Sequence, residues 1–179
     1  PCSRTAPCKT FAGAISKTTA GGEISVLDPG GFGAVTITKS ITLDGGGGQV
    51  ASVLVAGTNG IVISGSGIVV TLRNLRINGI VGSSTPGLNG IQFLAGAALH
   101  VENCNVFGFS QNAINVSLNQ ATAAQVFVTD TTATNSAGGI AVRNAAAGKV
   151  SIAVQRSTLS QNSGFGFKAD GSGTGTILG

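Results

Sequence analysis

Aliphatic residues two apart recur along this chain at intervals of 23 to 30 residues, a spacing that suits stacked strands and not packed helices. One series runs Val70/Leu72, Leu99/Val101, Val126/Val128 and Ile152/Val154, in steps of 29, 27 and 26 residues. Another runs Ile61/Ile63, Ile91/Phe93, Ile114/Val116, Ile140/Val142 and Phe165/Phe167, in steps of 30, 23, 26 and 25. A third, Leu75/Ile77, Cys104/Val106, Thr131/Ala133 and Ser157/Leu159, follows the first series after a single residue. Residues two apart lie on one side of a strand. Three short strands per repeat with matching inner faces predict a coil in which each strand lies on its counterpart one turn earlier. The single residue at the corner is Asn74, then Asn103, Asp130 and Arg156. Asn and Asp tolerate the left-handed backbone that a tight corner needs. Arg156 breaks the series, so that corner is expected to differ.

Composition agrees with a folded coil. Hydrophobic residues make up 42% and charged residues only 9%, where about 25% charged is usual. Disorder comes with the opposite balance. Ser, Thr, Asn, Gln and 29 Gly must therefore cover the surface. Ten basic residues against six acidic ones give a formal +4, yet Lys and Arg never form a run and Trp and Tyr are absent. No nucleic-acid surface is expected. No apolar run approaches the roughly 18 to 20 residues needed to cross a bilayer, so no membrane insertion is expected.

Residues 1–23 read as an N-terminal segment with a capping helix, and residues 24–179 as the coil, together one domain. In the first part, Phe11, Ala14 and Ile15 share a face at helical spacing between Thr10 and Lys17. A short helix there would cover the apolar end of the coil. Strand-like runs at 24–27, 34–38, 41–43 and 53–55 supply the first one or two turns, with the register of 45–60 undecided. The far end, residues 173–179, is still strand-like and carries no cap. It is expected to make end-to-end or edge contacts.

Cys2 and Cys8 lie six apart in a Pro-bounded segment, PCSRTAPC. A local disulfide is the favoured reading and free thiols the alternative; the disulfide would imply export. Cys104 shares a column with Leu75, Thr131 and Ser157 and reads as a buried free thiol. With one His and no Cys-x-x-Cys, no metal site and no cofactor are expected.

The opening PCSRTAPCKTFAGAISKTTAGGEISVLDPGGFG, with its I-x-V-L-x-P-G first strand, resembles the start of bacterial right-handed parallel β-helix proteins of the pectate-lyase-like superfamily. GLNGIQF and LHVENCNVFGF resemble the Asn-bearing turns of the same superfamily. The resemblance implies an all-β, right-handed parallel β-helix with a short N-terminal capping helix, in an extracellular or cell-envelope protein. It names no activity, since that superfamily holds lyases, hydrolases, adhesins and tailspikes.

Lyases of that type hold Ca²⁺ in a carboxylate cluster, and the related hydrolases array two or three Asp. Here Glu23, Asp28, Asp44, Glu102, Asp130 and Asp170 share no outward column on adjacent turns. No catalytic residue is assigned. His100 alternates with Leu99 and Val101 and reads as a solvent-facing strand residue beside Thr71 and Phe127. Glu102 falls in the column of Arg73, and a surface ion pair worth at most about 1 kcal/mol is expected between them. The outward columns of the third strand read Arg76, Asn105, Thr132, Thr158 and Asn78, Phe107, Thr134, Ser160. Arg76, Asn78, Asn105, Phe107, Thr132 and Thr134 are the candidate binding residues, for a polysaccharide or cell-surface glycan. The expected role is a non-catalytic structural or adhesive module of an exported bacterial protein. The alternative is a carbohydrate-binding or polysaccharide-processing domain.

Overall fold

The computed structural model describes residues 2–48, 50–171 and 173–179. Helix α1 (Phe11–Ile15) precedes the first coil, which contains β1 (Glu23–Ser25), β2 (Gly30–Gly31) and β3 (Val35–Ile37). The second contains β4 (Ile41–Asp44), β5 (Ala51–Leu54) and β6 (Ile61–Ser64), and the third β7 (Val69–Arg73), β8 (Leu75–Asn78) and β9 (Ile91–Ala95). Next come β10 (Ala98–Glu102), β11 (Asn105–Phe107) and β12 (Asn112–Leu118), then β13 (Ala124–Thr129), β14 (Thr132–Thr134) and β15 (Gly138–Asn144). The last coil holds β16 (Lys149–Gln155) and β17 (Phe165–Asp170), and β18 (Thr176–Leu178) follows.

Like strands stack. The seven-stranded sheet runs β1-β4-β7-β10-β13-β16-β18, the five-stranded β2-β5-β8-β11-β14, and the six-stranded β3-β6-β9-β12-β15-β17. Pairing between these strands is parallel throughout, as for β7 on β10 and β12 on β15. The chain is thus an all-β parallel solenoid of about five turns, with one short helix near its N-terminus.

Burial follows the alternation that the sequence displays. Ile91, Ile114 and Ile140 are in register on adjacent strands, each with no exposed surface. Val70, Leu99, Val126 and Ile152 form the matching row on the seven-stranded sheet. The residues between them face outward, because a strand turns alternate side chains to opposite faces.

The last pair departs from the expected register. Phe165 lies beside Gly138, and Phe167, not Phe165, lies beside Ile140. Gly138 explains the shift of two: the Phe165 ring occupies the space that a Cβ at 138 would take. At this end of the solenoid Phe167 is 43% exposed.

The N-terminal end is covered by α1. Thr10 caps it, its Oγ1 accepting from the Gly13 N–H at 3.0 Å. Five residues are too few for a helix that stands alone, so tertiary anchors hold it. Phe11 is buried with its ring 5.1 Å from that of Phe32, and its N–H donates to the Phe32 carbonyl. Ala14 is buried as well, and Ile15 packs partly buried against the core.

The undecided stretch resolves into β5, which lies between β2 and β8, and the start of β6; Gln49 is outside the described residues. Strand β2 was not foreseen, because Gly30–Gly31 offers no side-chain pattern. Among the connections from the five-stranded to the six-stranded sheet, residues 79–90 stand out beside the short turns 108–111 and 135–137.

Candidate binding face

The corner residues set up the outward face of the five-stranded sheet. Asn74, Asn103 and Asp130 have φ of 59°, 49° and 51°, the left-handed region, and turn the chain sharply into the third strand. Their side chains then stack. Asn74 Nδ2 donates to Asp44 Oδ1 at 2.7 Å, and Asn103 Nδ2 donates to Asn74 Oδ1 at 2.8 Å. Arg156 keeps the same left-handed turn, with φ 46°, so its corner does not differ in backbone. Its guanidinium fork donates to both oxygens of Asp130 at 2.7 and 2.8 Å. Those bonds hold the Asp130 carboxyl below the usual carboxylate range.

Behind the corner, the interior column tolerates polar atoms because each finds a partner. Thr131 Oγ1 donates to the Thr129 carbonyl at 2.9 Å and accepts from the Cys104 N–H at 3.3 Å. Ser157 Oγ repeats the pattern with the Gln155 carbonyl and the Thr131 N–H. Cys104 is free and buried, and desolvation pushes its thiol up to about 12.

This framework brings the six candidate residues together. Arg76, Asn105 and Thr132 are cross-strand neighbours, and so are Asn78, Phe107 and Thr134. Ser52 and Leu54 extend the two columns onto β5. The guanidinium of Arg76 lies over the Phe107 ring, 5.0 Å from its centroid. It covers one ring face. A shallow groove of about 280 Å³ separates the corner column from Arg76, Asn105 and Thr132.

On the seven-stranded sheet, the expected Arg73–Glu102 ion pair does not form. Arg73 reaches toward the N-terminal end instead, donating to Asp44 Oδ2 and Glu23 Oε2, each at 2.9 Å. Asp44 is also fixed by Asn74 and the Gly46 N–H, so it offers a better-organised acceptor than Glu102. Burial works against charge on Asp44, but bonds from Asn74, Gly46 and Arg73 outweigh it and hold the carboxyl below its ordinary value. His100 faces outward and stacks on Phe127, with ring centroids 4.9 Å apart.

A second recess went unread in the sequence. Outward on the six-stranded sheet, Ala141 sits between Asn115 and Lys168. Its small side chain leaves a hollow of about 220 Å³ bordered by Ser117, Arg143, Phe165 and Asp170. The signal was present as a small residue among longer polar ones, at the outward positions of a strand whose repeat is carried by its inward ones.

Cys2 and Cys8 are joined, with their Cα atoms 4.7 Å apart, and close a loop against the first coil. Among the described residues no three His, Cys, Asp or Glu side chains are grouped as metal ligands. No described helix is long and apolar enough to cross a membrane. Comparison with protein-family models, with curated proteins and with solved structures found no match for this chain.

Proposed function

We propose that the chain is a non-catalytic structural or adhesive module of an exported protein, holding its target on the five-stranded face. One observation carries the reading: two outward columns of guanidinium, amide, hydroxyl and aromatic groups keep register over successive strands. Such a surface suits an extended polyhydroxylated chain, because amides and hydroxyls exchange hydrogen bonds with sugars while an aromatic ring packs on apolar C–H. The acidic side chains fit a structural part. Glu23 and Asp44 hold Arg73, and Asp130 holds Arg156. The Cys2–Cys8 bond supports export as part of this reading, since such bonds persist in oxidising compartments. The pectate-lyase-like affinity of the opening segment, and the bacterial envelope or secreted setting that goes with it, belong to the same proposal.

Affinity electrophoresis through a panel of polysaccharides tests this. The expected result is retardation by at least one polymer, abolished in an Asn105→Ala/Thr132→Ala variant of unchanged Tm, with no new reducing ends. Retardation that survives the double variant refutes the face, and accumulating reducing or unsaturated ends refute the non-catalytic role. A second reading, a carbohydrate-binding or processing domain using the six-stranded sheet, is favoured by the hollow over Ala141 with its two cations. It predicts that Arg143→Ala, and not Asn105→Ala, removes binding.

A further inference from the structure

A cleft of about 570 Å³ opens at the N-terminal end of the solenoid, between the disulfide-closed loop and the first coil. That volume falls within the range of ligand sites, about 300–1,000 Å³. Ile24, Val26, Phe11 and Phe32 give it apolar walls, with Glu23 and Asp28 on the side of the first coil and Arg4 and Lys9 on the N-terminal segment.

A free sheet edge runs along this cleft. Strand β1 ends the seven-stranded sheet and pairs only with β4. The ladder between them uses alternate residues: Thr42 N–H donates to the Gly22 carbonyl and Val26 N–H to the Asp44 carbonyl. Alternation in a parallel ladder turns the N–H and C=O of Glu23 and Ser25 the opposite way, toward the cleft. Among the described residues neither pair of groups has a partner on that side. Exposed edges of this kind template the addition of another strand.

We propose that this edge is a strand-docking site, where an extended segment of a partner polypeptide enters the cleft and adds a parallel strand to β1. Its chemistry follows from the rows already stacked there. Leu43 and Leu72 continue the row above Ile24, so the incoming strand places an aliphatic side chain on Ile24 from the other side. On its outward face a basic residue meets Asp28, since Glu23 is already held by Arg73 and Ser25. A compact small molecule could fill the space, but it would not satisfy four backbone groups set at strand spacing. The site is independent of the five-stranded face and survives or fails separately from it.

A blocked synthetic peptide with the sequence of residues 67–74, GIVVTLRN, is the probe, since it carries strand β7 with Leu72 and Arg73 at the required positions. Calorimetric titration into the intact chain, with amide exchange read at Glu23 and Ser25, is expected to show saturable binding and slowed exchange at both. N-methylation of the peptide amides that face β1 should weaken binding roughly tenfold or more. Ser25→Pro removes a cleft-facing N–H at an edge position where proline is tolerated, and the same loss is expected. No binding at millimolar peptide overturns the proposal. So does undiminished binding of the N-methylated peptide without protection of Glu23 and Ser25, which would make the cleft an apolar small-molecule pocket.

Discussion

Ile114→Ala should remove one rung from the middle of an interior row. Ile114 has no exposed surface and lies between Ile91 and Ile140, both equally buried. Truncating a buried Ile to Ala costs about 2–5 kcal/mol, the larger values arising where the cavity cannot collapse. Here collapse is resisted on both sides, because the neighbouring backbones are fixed by parallel ladders to strands beyond them. A loss of about 4 kcal/mol is therefore expected, a fall in Tm of about 8–16 °C for a chain of this size. Ile114→Val should cost only about 1 kcal/mol, and the exposed Thr36→Ala less than about 0.5 kcal/mol. Urea and thermal unfolding followed by circular dichroism measure all three, with the m-value checked because stacked repeats can lose two-state behaviour. Combining Ile114→Val with Ile91→Val should be non-additive, since contacting residues couple. A cost below about 1 kcal/mol for Ile114→Ala, or strict additivity of the Val pair, would refute the stacked-row account.

Three further outcomes are expected. The folded-state pKa of Asp44 lies below its ordinary value of 3.8, so its contribution to stability is present above that pH and disappears as pH falls through the lowered value; Tm measured from neutrality into the acid range should fall less steeply in Asp44→Asn. Gly138→Ala forces a Cβ against the Phe165 ring and Asn112 Oδ1, an overpacking cost of about 1–3 kcal/mol that a Phe165→Ala background should partly relieve, as urea midpoints will report. Cys104, buried and with its thiol pushed up to about 12, should resist a thiol reagent in the native protein and take one equivalent once urea unfolds it. Labelling of native protein at the rate of a free thiol would contradict its burial.

The sequence revealed the interior because each inward position there must be filled by an apolar side chain of limited size. Val70, Leu99, Val126 and Ile152 could be aligned without knowing what surrounds them. The same logic failed at Phe165 and Phe167, where two Phe two apart imitate a regular pair and the deciding residue is a glycine one coil away. It failed at Arg73 for another reason. A long side chain can reach up or down the solenoid, and the choice is set by Asp44 and Asn74, which meet it only in the folded corner. Of the candidate face, the six positions were legible because outward columns follow from inward ones. The overlay of Arg76 on Phe107 was not, since rotamers leave no trace in spacing. The hollow over Ala141 and the open edge of β1 are gaps bounded by neighbours, and a linear pattern records occupants better than it records gaps.

Unequal connections between the five- and six-stranded sheets carry one more consequence. The long excursion of residues 79–90 is closed at its base by the Gly87 N–H on the Gly79 carbonyl and is most exposed at 81–85, in a coil whose strands keep the common register, so length at that tip is decoupled from winding. Doubling such a loop costs only about 0.6 kcal/mol of closure entropy. That bend is accordingly a natural insertion port, able to carry a foreign epitope or recognition peptide outward while the spiral beneath it stays unaltered.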